Sequence, residues 1–377
     1  MQLPFIATDR EKKILQNRLL QRHFIMLDSF LGHVRALADS SPQASNKNKV
    51  FTMSHTVLLT GPQLAPEAMH LAAAHGVRVI PTTPYLPEQE LLAVIRAEQP
   101  DAIIVRQGQL TRAMIDASHA LKIIAKHGVG YNTIDIQAAA DLGIPVTIAV
   151  GANAQSVAEH AFALLFSVAR QTAWLDARMR QGHWDKSSAN GIELFGKTLG
   201  LVGLGSIGSI LMDLVAPLQM RVKVYDPYLR ELPMRAHVER EEDLERLLAD
   251  SDVVSLHCPL TDSNHHLIGA AQLARMRPGS ILINTARGEL VDTEALVRAL
   301  REGQIAGAGL DTFSPEPPPA DSALWDLPTL VATPHVGANT AEARDRVGLV
   351  ALQQILAVWS GAELDPRCVV NRHLLGR

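Results

Sequence analysis

The chain has 377 residues, of which 47% are hydrophobic and 20% are charged, so its length predicts two domains with sizeable hydrophobic cores. This composition excludes a mainly disordered chain or a coiled coil, and a net charge of -4 provides no basic surface for nucleic acid or an anionic membrane. The cysteines, Cys258 and Cys368, are too few for a disulfide framework, which predicts a reducing, cytoplasmic location. No apolar run is long enough to predict a membrane helix.

The first 52 residues differ in charge from the rest of the chain. They carry a net charge of +4, whereas residues 53–377 carry -8. Leucines at helical spacing are followed by a polar segment, Ser40 to Lys49, which is typical of a flexible linker. We therefore expect residues 1–52 to be a basic extension that is disordered or not native, with Met53 as the natural start.

From His55 onward, short apolar runs alternate with amphipathic segments of helical length, the pattern of a parallel sheet built from βαβ units. The first unit contains five predicted strands, which are Thr56–Thr60, Val77–Ile80, Ala102–Val105, Lys122–Ala125 and Val146–Ile148. Helices are predicted between them at residues 66–75, 87–97 and 111–120.

A long apolar helix, predicted from Asn153 to Gln171, leads to a second and longer unit. Its predicted strands are Thr198–Gly203, Arg221–Asp226, Val253–His257, Ser280–Thr285, Gly307–Asp311 and Leu330–Thr333. Another helix is predicted after Thr340, ending near Trp359, and the two long helices are expected to be the crossings between the units. The sequence therefore predicts the α/β fold class, with two doubly wound parallel sheets of the Rossmann type.

A glycine-rich loop follows the first strand of the second unit. In Gly203-Leu204-Gly205-Ser206-Ile207-Gly208, the first glycine permits a tight turn, the second allows backbone to approach a pyrophosphate, and the third packs helix on strand. The predicted helix after the loop, residues 210–218, directs free amides and a partial positive charge toward the phosphate. The loop therefore predicts a dinucleotide site, with Ser206 and Ile207 among its contacts.

An acidic residue, Asp226, ends the next strand 18 residues after Gly208. At this position a carboxylate can accept hydrogen bonds from both ribose hydroxyls and repel a 2′-phosphate. The pattern predicts NAD rather than NADP.

Three polar residues each follow the carboxyl end of a predicted strand in the second unit. They are Arg287, Glu316 and His335, and at this edge of a parallel sheet they are expected to converge near the nicotinamide. Removing hydride from a 2-hydroxy acid requires a base, for which histidine has a suitable pKa. Glu316 can orient the imidazole, and the planar Arg287 suits a carboxylate or the adjacent carbonyl oxygen. No metal ligand set is predicted.

These motifs resemble the D-isomer-specific 2-hydroxyacid dehydrogenase family, and the resemblance extends from about Thr56 to Val370. The shared stretches are His127-Gly128-Val129-Gly130, Ser156-Val157-Ala158-Glu159, residues 196–208, His257-Cys258-Pro259-Leu260-Thr261, Asn284-Thr285-Ala286-Arg287-Gly288, Gly309-Leu310-Asp311 with Glu316-Pro317, and Thr333-Pro334-His335-Val336-Gly337.

The resemblance implies roles for residues that composition and spacing leave open. It implies that Arg287, Glu316 and His335 are the catalytic residues and that Val129 and Gly130 offer amides to the substrate carboxylate. Asp311 would hold the nicotinamide carboxamide. Further cofactor contacts implied by the resemblance are Pro259, Thr285, Ala286 and Gly337.

The resemblance also implies a domain arrangement. Residues 53–150 and 340–377 would form a discontinuous substrate domain, and residues 151–339 would form an NAD-binding domain inserted into it. Family members are usually dimers, so a homodimer is expected, with a small 2-hydroxy or 2-oxo acid as the substrate.

Two features bear on the substrate. Val105-Arg106 and the stretch Gly182-His183-Trp184 are most similar to family members that oxidise D-3-phosphoglycerate, in which an arginine at the Arg106 position binds the phosphate. However, Ser187-Ser188 stands where some relatives carry basic residues. Glyoxylate or hydroxypyruvate reduction therefore remains an alternative, as does a non-enzymatic, NAD-sensing protein similar to a corepressor.

Overall fold

The structure, a computed structural model, describes residues 55–233, 235 and 237–376. The predicted basic extension, residues 1–52, and the proposed start at Met53 lie outside the described residues. Within the described residues, no helix is long and apolar enough to cross a membrane.

The first sheet contains five parallel strands in the order β2-β1-β3-β4-β5. Its strands are β1 (His55–Thr60), β2 (Val77–Pro81), β3 (Ala102–Val105), β4 (Ile123–Lys126) and β5 (Val146–Ile148). The helices between them are α1 (Pro66–Ala74), α2 (Glu88–Glu98), α3 (Arg112–Asp116) and α4 (Ile136–Asp141). Strand β3 is apolar and fully buried, as expected for a parallel sheet covered on both faces.

The second sheet contains seven parallel strands in the order β12-β11-β10-β9-β6-β7-β8. Its strands are β6 (Thr198–Val202), β7 (Arg221–Tyr225), β8 (Val238–Arg240), β9 (Val253–Leu256), β10 (Ile281–Asn284), β11 (Gly307–Leu310) and β12 (Leu330–Ala332). Its helices are α7 (Ser206–Val215), α8 (Leu244–Asp250), α9 (Ala270–Arg275) and α10 (Thr293–Arg301), with short 3-10 helices at Ala216–Leu218, Gly288–Leu290 and Ala323–Asp326. The predicted fold of two doubly wound parallel sheets is confirmed.

Three helices lie outside these two sets: α5 (Ala154–Ala169), α6 (Thr172–Arg180) and α11 (Ala341–Ser360). Helix α5 packs on the second sheet. Helix α11 packs on the first sheet, where Ala351 and Leu352 share a core with Val57 and Ile104. The chain beyond α11 also returns to the first sheet, because the side chain of Asn371 bonds the backbone of β5 at Val146. The last segment of the chain thus completes the first sheet's core.

Several predicted boundaries are wrong. The helix predicted at 111–120 is only Arg112–Asp116, and the one predicted at 210–218 begins at Ser206 and ends at Val215. The helix predicted to end at Gln171 instead ends at Ala169, and a second helix starts at Thr172, because Gln171 adopts a left-handed conformation with φ 55°. Strand β8 is absent from the predicted strands, since only Val238 of its three residues is apolar.

The order of the strands determines where ligands can bind. In the second sheet the order reverses between β6 and β9, and in such sheets a crevice opens beyond the carboxyl ends of the strands at the reversal. The glycine-rich loop follows β6, and Arg287 follows β10. The predicted site residues of this sheet therefore share one edge.

Candidate active site

The glycine-rich loop fits a dinucleotide. Gly203 has φ +95°, and a Cβ there would lie 2.8 Å from the Cys258 nitrogen; a Cβ at Gly208 would lie 2.6 Å from the Gly203 oxygen. Nothing lies within 4 Å of a Cβ built at Gly205, and no side chain caps the first turn of α7. The loop thus packs closely on one side and leaves backbone amides open on the other, as a pyrophosphate requires.

Asp226 follows β7 and lies beside the glycine-rich loop. Its Oδ2 accepts a hydrogen bond from the Leu204 amide at 2.9 Å, and Oδ1 accepts one from the Tyr228 amide at 2.9 Å. Each carboxylate oxygen can accept a further bond, and the side chain is half-buried. This carboxylate is therefore fixed in orientation and able to receive ribose hydroxyls.

A buried hydroxyl also suits a bound cofactor. The Oγ1 atom of Thr285, directly after β10, is buried without a hydrogen-bond partner among the described residues. Buried polar atoms are normally paired, so an unpaired hydroxyl at this sheet edge fits a ligand contact. The residues that are present accordingly fit NAD.

Glu316 and His335 lie in direct contact. Glu316 Oε2 is 2.8 Å from His335 Nδ1, and Oε1 accepts a hydrogen bond from the Phe313 amide at 2.9 Å. An ionised carboxylate only accepts hydrogen bonds, so we assign the ring proton to Nδ1, which leaves Nε2 free. Burial would raise the pKa of Glu316, but the hydrogen bonds from His335 and Phe313 outweigh it and lower that pKa. Glu316 therefore stays charged beside the imidazole.

A buried carboxylate holds the backbone around His335. His335 has φ 53°, a conformation that is uncommon for residues other than glycine. Asp311 Oδ1 accepts hydrogen bonds from the Val336 amide at 2.9 Å and from Thr333 Oγ1 at 2.6 Å, and Oδ2 accepts one from the Gly337 amide at 2.8 Å. Contacts of Asp311 and Gly337 with the cofactor stay predictions, and in this structure the two residues bind each other.

Helix α5 contributes to the same network through His160. Its Nε2 lies 2.8 Å from Thr333 Oγ1 and 3.3 Å from Asp311 Oδ1. Burial raises the pKa of Asp311, but hydrogen bonds from His160, Thr333 and the two backbone amides outweigh it and lower that pKa. Asp311 is thus an ionised, buried anchor for the loop that carries His335.

Arg287 extends from the second sheet to a loop of the first. Its Nη1 donates to the Ala286 oxygen at 2.6 Å, and its Nε lies 3.5 Å from Asn132 Oδ1. A Cβ at Gly130 would overlap the guanidinium, so a larger residue there would displace the Arg287 side chain from this loop. The amides of Val129 and Gly130 donate to no other described residue. A cation and two unused donors therefore lie side by side, which suits a carboxylate.

Further cations lie at the carboxyl edge of the first sheet. Lys126 Nζ, at the end of β4, donates to the Arg106 carbonyl oxygen at 3.3 Å. Burial, and to a smaller extent Arg287, lower the pKa of Lys126 to about 8. Burial, followed by the charges of Arg106, Lys126 and Arg344, lowers the pKa of His127 to about 4. This edge of the sheet is strongly electropositive.

Lys126, Asn132 and Thr333 are absent from the residues predicted from sequence. Lys126 had a usable signal, because it ends an apolar strand at the same edge as the predicted substrate ligands. Thr333 lies in a stretch that carries the family resemblance, but its contacts with His160 and Asp311 join residues distant in sequence. Asn132 had no signal, since it acts only through a contact distant in sequence. In the described part of the chain, no cluster of His, Cys, Asp or Glu could hold a metal ion.

Comparisons with known proteins agree with this geometry. Residues 162–337 match the family described as D-isomer specific 2-hydroxyacid dehydrogenase, NAD binding domain. A hydroxypyruvate reductase of Thermotoga maritima is 40% identical over 277 residues, covering 73% of this chain and 89% of the relative. A D-3-phosphoglycerate dehydrogenase of Methanocaldococcus jannaschii is also 40% identical, covering 73% of this chain. This chain spans about half of that relative's length, 52%.

The chain is also similar to solved structures over most of its length. The TT0316 protein of Thermus thermophilus is 38% identical with a TM-score of 0.76, covering 84% of this chain and 99% of its own. A glyoxylate reductase from Paecilomyes thermophila is 29% identical with a TM-score of 0.74, covering 84% of this chain and 98% of its own.

The fold, the site and these relatives define one class of protein. The chain belongs to the D-isomer specific 2-hydroxyacid dehydrogenase family. The predicted family is confirmed, and so is NAD as its cofactor.

Proposed function

We propose that this protein is an NAD-dependent dehydrogenase that interconverts a D-2-hydroxy acid and its 2-oxo acid. The observation that supports the proposal most strongly is the pair formed by Glu316 and His335, with 2.8 Å between Oε2 and Nδ1. This pair follows strands of the same sheet whose glycine-rich loop fits a dinucleotide. A general base is thus available at the edge where a nicotinamide binds.

In the proposed mechanism, His335 Nε2 takes the hydroxyl proton of the substrate, and in the reducing direction it donates a proton to the carbonyl oxygen. Glu316 orients the ring through Nδ1 and stabilises the imidazolium that forms. Arg287 and the amides of Val129 and Gly130 hold the substrate carboxylate. When bound, NAD supplies the acceptor for the hydride that leaves C2.

We assign the cofactor contacts as predicted from sequence. The glycine-rich loop and α7 would hold the pyrophosphate, and Asp226 would hold the ribose hydroxyls. The complete proposed set is Gly203, Gly205, Ser206, Ile207, Gly208, Asp226, Pro259, Thr285, Ala286, Asp311 and Gly337. Open space beside Gly205 and the unpaired Thr285 hydroxyl support this set.

We also propose the predicted domain organisation. Residues 53–150 and 340–377 would form the substrate domain, and residues 151–339 the NAD-binding domain. The packing of α11 on the first sheet and the bond from Asn371 to β5 support the discontinuous substrate domain. Substrate would then bind between the two sheets, where Arg287 meets Gly130.

The substrate has two candidates within this activity. D-3-phosphoglycerate is favoured by Arg106, which is half-buried and whose guanidinium has only the Pro62 carbonyl as a hydrogen-bond partner among the described residues. Hydroxypyruvate or glyoxylate is the second candidate, since relatives that this chain covers almost fully are a hydroxypyruvate reductase and a glyoxylate reductase.

We propose a cytoplasmic homodimer. Both cysteines are free, as in reducing compartments. Exposed apolar side chains occur near one another in sequence at Met179, Trp184 and Phe195, with 52%, 75% and 56% exposure, and such residues often mark a subunit interface. Light scattering of the purified protein tests the proposal, and a monomer at micromolar concentration would contradict it.

The test of the proposed activity is NADH oxidation by the purified protein. We expect turnover with at least one of glyoxylate, hydroxypyruvate and phosphohydroxypyruvate. Where the product is chiral, we expect it to be the D enantiomer. Tight NADH binding without turnover of any 2-oxo acid would contradict the proposed dehydrogenase activity and favour the alternative of an NAD-sensing protein.

A further inference from the structure

The segment that carries the proposed base has little apolar packing of its own. Residues 333–340, here called the catalytic segment, run from the end of β12 to the start of α11, and His335 lies near their beginning. Of these eight residues, only Gly337 is buried. A segment with few buried contacts opens easily unless other bonds restrain it, so hydrogen bonds must fix its conformation.

Helix α5 contacts the catalytic segment at both ends. His160 Nε2 lies 2.8 Å from Thr333 Oγ1, and Ser156 Oγ lies 2.9 Å from Thr340 Oγ1. Residues four positions apart lie on one face of a helix, and every buried position of α5 other than Ser156 is apolar. The two polar side chains on this face therefore hold the segment on either side of His335.

The direction of the hydrogen bond between His160 and Thr333 is determined by Asp311. Burial raises the pKa of Asp311, but the hydrogen bonds that it accepts outweigh burial, so the side chain is ionised. An ionised carboxylate only accepts hydrogen bonds, and Thr333 gives its one hydroxyl hydrogen to Asp311 Oδ1 at 2.6 Å. His160 Nε2 must therefore be the donor to Thr333 Oγ1, and we assign a ring proton to Nε2.

Asp311 passes this restraint to the backbone around His335. Its two carboxylate oxygens accept the amides of Val336 at 2.9 Å and Gly337 at 2.8 Å. These amides directly follow His335, whose φ of 53° is uncommon for a residue other than glycine and persists only under restraint from its surroundings. A looser turn would move the imidazole away from Glu316, to which Nδ1 is joined at 2.8 Å.

We infer that His160 and Ser156 are positioning residues, which hold the catalytic segment against α5 and thereby keep His335 in contact with Glu316. The inference rests on the proposed function and gives a task in it to two side chains outside the proposed catalytic and binding sets. His160 has the larger effect, because it acts through Thr333 on the turn itself, whereas Ser156 restrains the far end of the segment.

Kinetics of α5 variants test the inference. His160→Leu removes the donor, whereas the side-chain amide of His160→Gln can still reach Thr333, and both replacements favour a helix. We expect His160→Leu to lower kcat for the best 2-oxo acid about tenfold or more, and His160→Gln to retain most of the wild-type kcat. Ser156→Ala should lower kcat by a smaller factor, about threefold. NADH affinity, measured by fluorescence titration, should change less than kcat.

The control is His119→Leu, which removes an exposed histidine and should leave kcat unchanged. Urea unfolding of each variant shows whether it is folded. The inference is wrong if His160→Leu turns over at the wild-type rate, or if His160→Gln loses as much activity as His160→Leu, since a role in packing alone would not distinguish a donor from its absence.

A further set of variants tests whether His160 acts through Thr333. Thr333→Val removes the hydroxyl and should lower kcat by itself. If the two residues act in one chain of hydrogen bonds, adding His160→Leu to Thr333→Val should cost little more, because contributions of coupled residues are not additive. A full additional tenfold loss would show that His160 acts independently of Thr333 and would overturn the inference.

A spectroscopic readout does not depend on turnover. In isotope-labelled protein, proton–nitrogen correlations of the histidine rings show which nitrogen carries the proton, and the signals lost in His160→Gln belong to His160. We expect a proton on Nε2 of His160, and we expect His160→Leu to shift the ring signals of His335. A proton on Nδ1 alone, or an unaltered His335, would contradict the inference. If both are observed but wild type reduces no 2-oxo acid, it is the proposed function that fails.

Discussion

At the residue scale, Arg287 combines a permanent charge with a planar pair of donors. Its Nη1 is fixed on the Ala286 oxygen at 2.6 Å, and its guanidinium packs against Gly130. A lysine would keep the charge but could not present two parallel donors to a carboxylate. We expect Arg287→Lys to raise KM for the 2-oxo acid about tenfold or more, with a smaller change in kcat. Steady-state kinetics check this, and an unchanged KM would count against the assignment.

The residues predicted from sequence are those whose position is determined by a strand end. Arg287, Glu316 and His335 follow β10, β11 and β12 respectively, so a correct strand assignment places them at one edge. Such reasoning could not predict that His160 bonds Thr333 Oγ1 at 2.8 Å. This contact joins residues far apart in sequence, and it depends on how α5 packs against the second sheet.

At the scale of elements, the contact between the glycine loop and α7 determines where the phosphate-binding amides lie. A Cβ at Gly208 would lie 2.6 Å from the Gly203 oxygen, so an added methyl must push the helix away from the turn. We expect Gly208→Ala to weaken NADH binding about tenfold, measured by fluorescence titration. Gly269→Ala is the control, because a Cβ there makes only ordinary contacts of 3.5 Å or more. Equal affinity of the two variants would contradict this role for the loop.

Eleven of the strands could be predicted because they are mostly short apolar runs between turns, whereas β8 could not. Strand β8 consists of Val238, Glu239 and Arg240, at the edge of the second sheet. An edge strand with two exposed polar residues lacks the apolar pattern that identifies a buried strand. Sequence reasoning also missed helix ends that depend on the backbone conformation of one residue. An example is the end of α5, which is followed by Gln171 in a left-handed conformation.

At the scale of the whole molecule, partly buried neutral histidines predict a loss of stability in acid. Burial lowers the pKa of His257 to about 4, and His127 has a similarly low value. Between their unfolded pKa of about 6.5 and this value, the unfolded chain binds protons that the folded chain does not, so stability falls as pH falls. Above the unfolded pKa, the stability that the neutral histidines contribute to the folded chain is fully present.

Urea unfolding at about pH 7 and about pH 5 tests this expectation. Wild type should lose about 2 kcal/mol more free energy of unfolding between these conditions than His257→Gln, whose side-chain amide reaches the Nε2 position that bonds Ser255 but does not titrate. His119→Gln removes an exposed histidine and should behave as wild type. The same loss in wild type and His257→Gln would show that His257 does not contribute.

The central claim is that His335 transfers the proton during D-2-hydroxyacid oxidation, with Glu316 holding its Nδ1 at 2.8 Å. The most direct test is His335→Gln, assayed for turnover and for NADH binding in the same preparation. The account predicts that kcat falls by about two to four orders of magnitude while NADH affinity stays close to wild type, since the base acts on the chemical step. Turnover near the wild-type rate would contradict it.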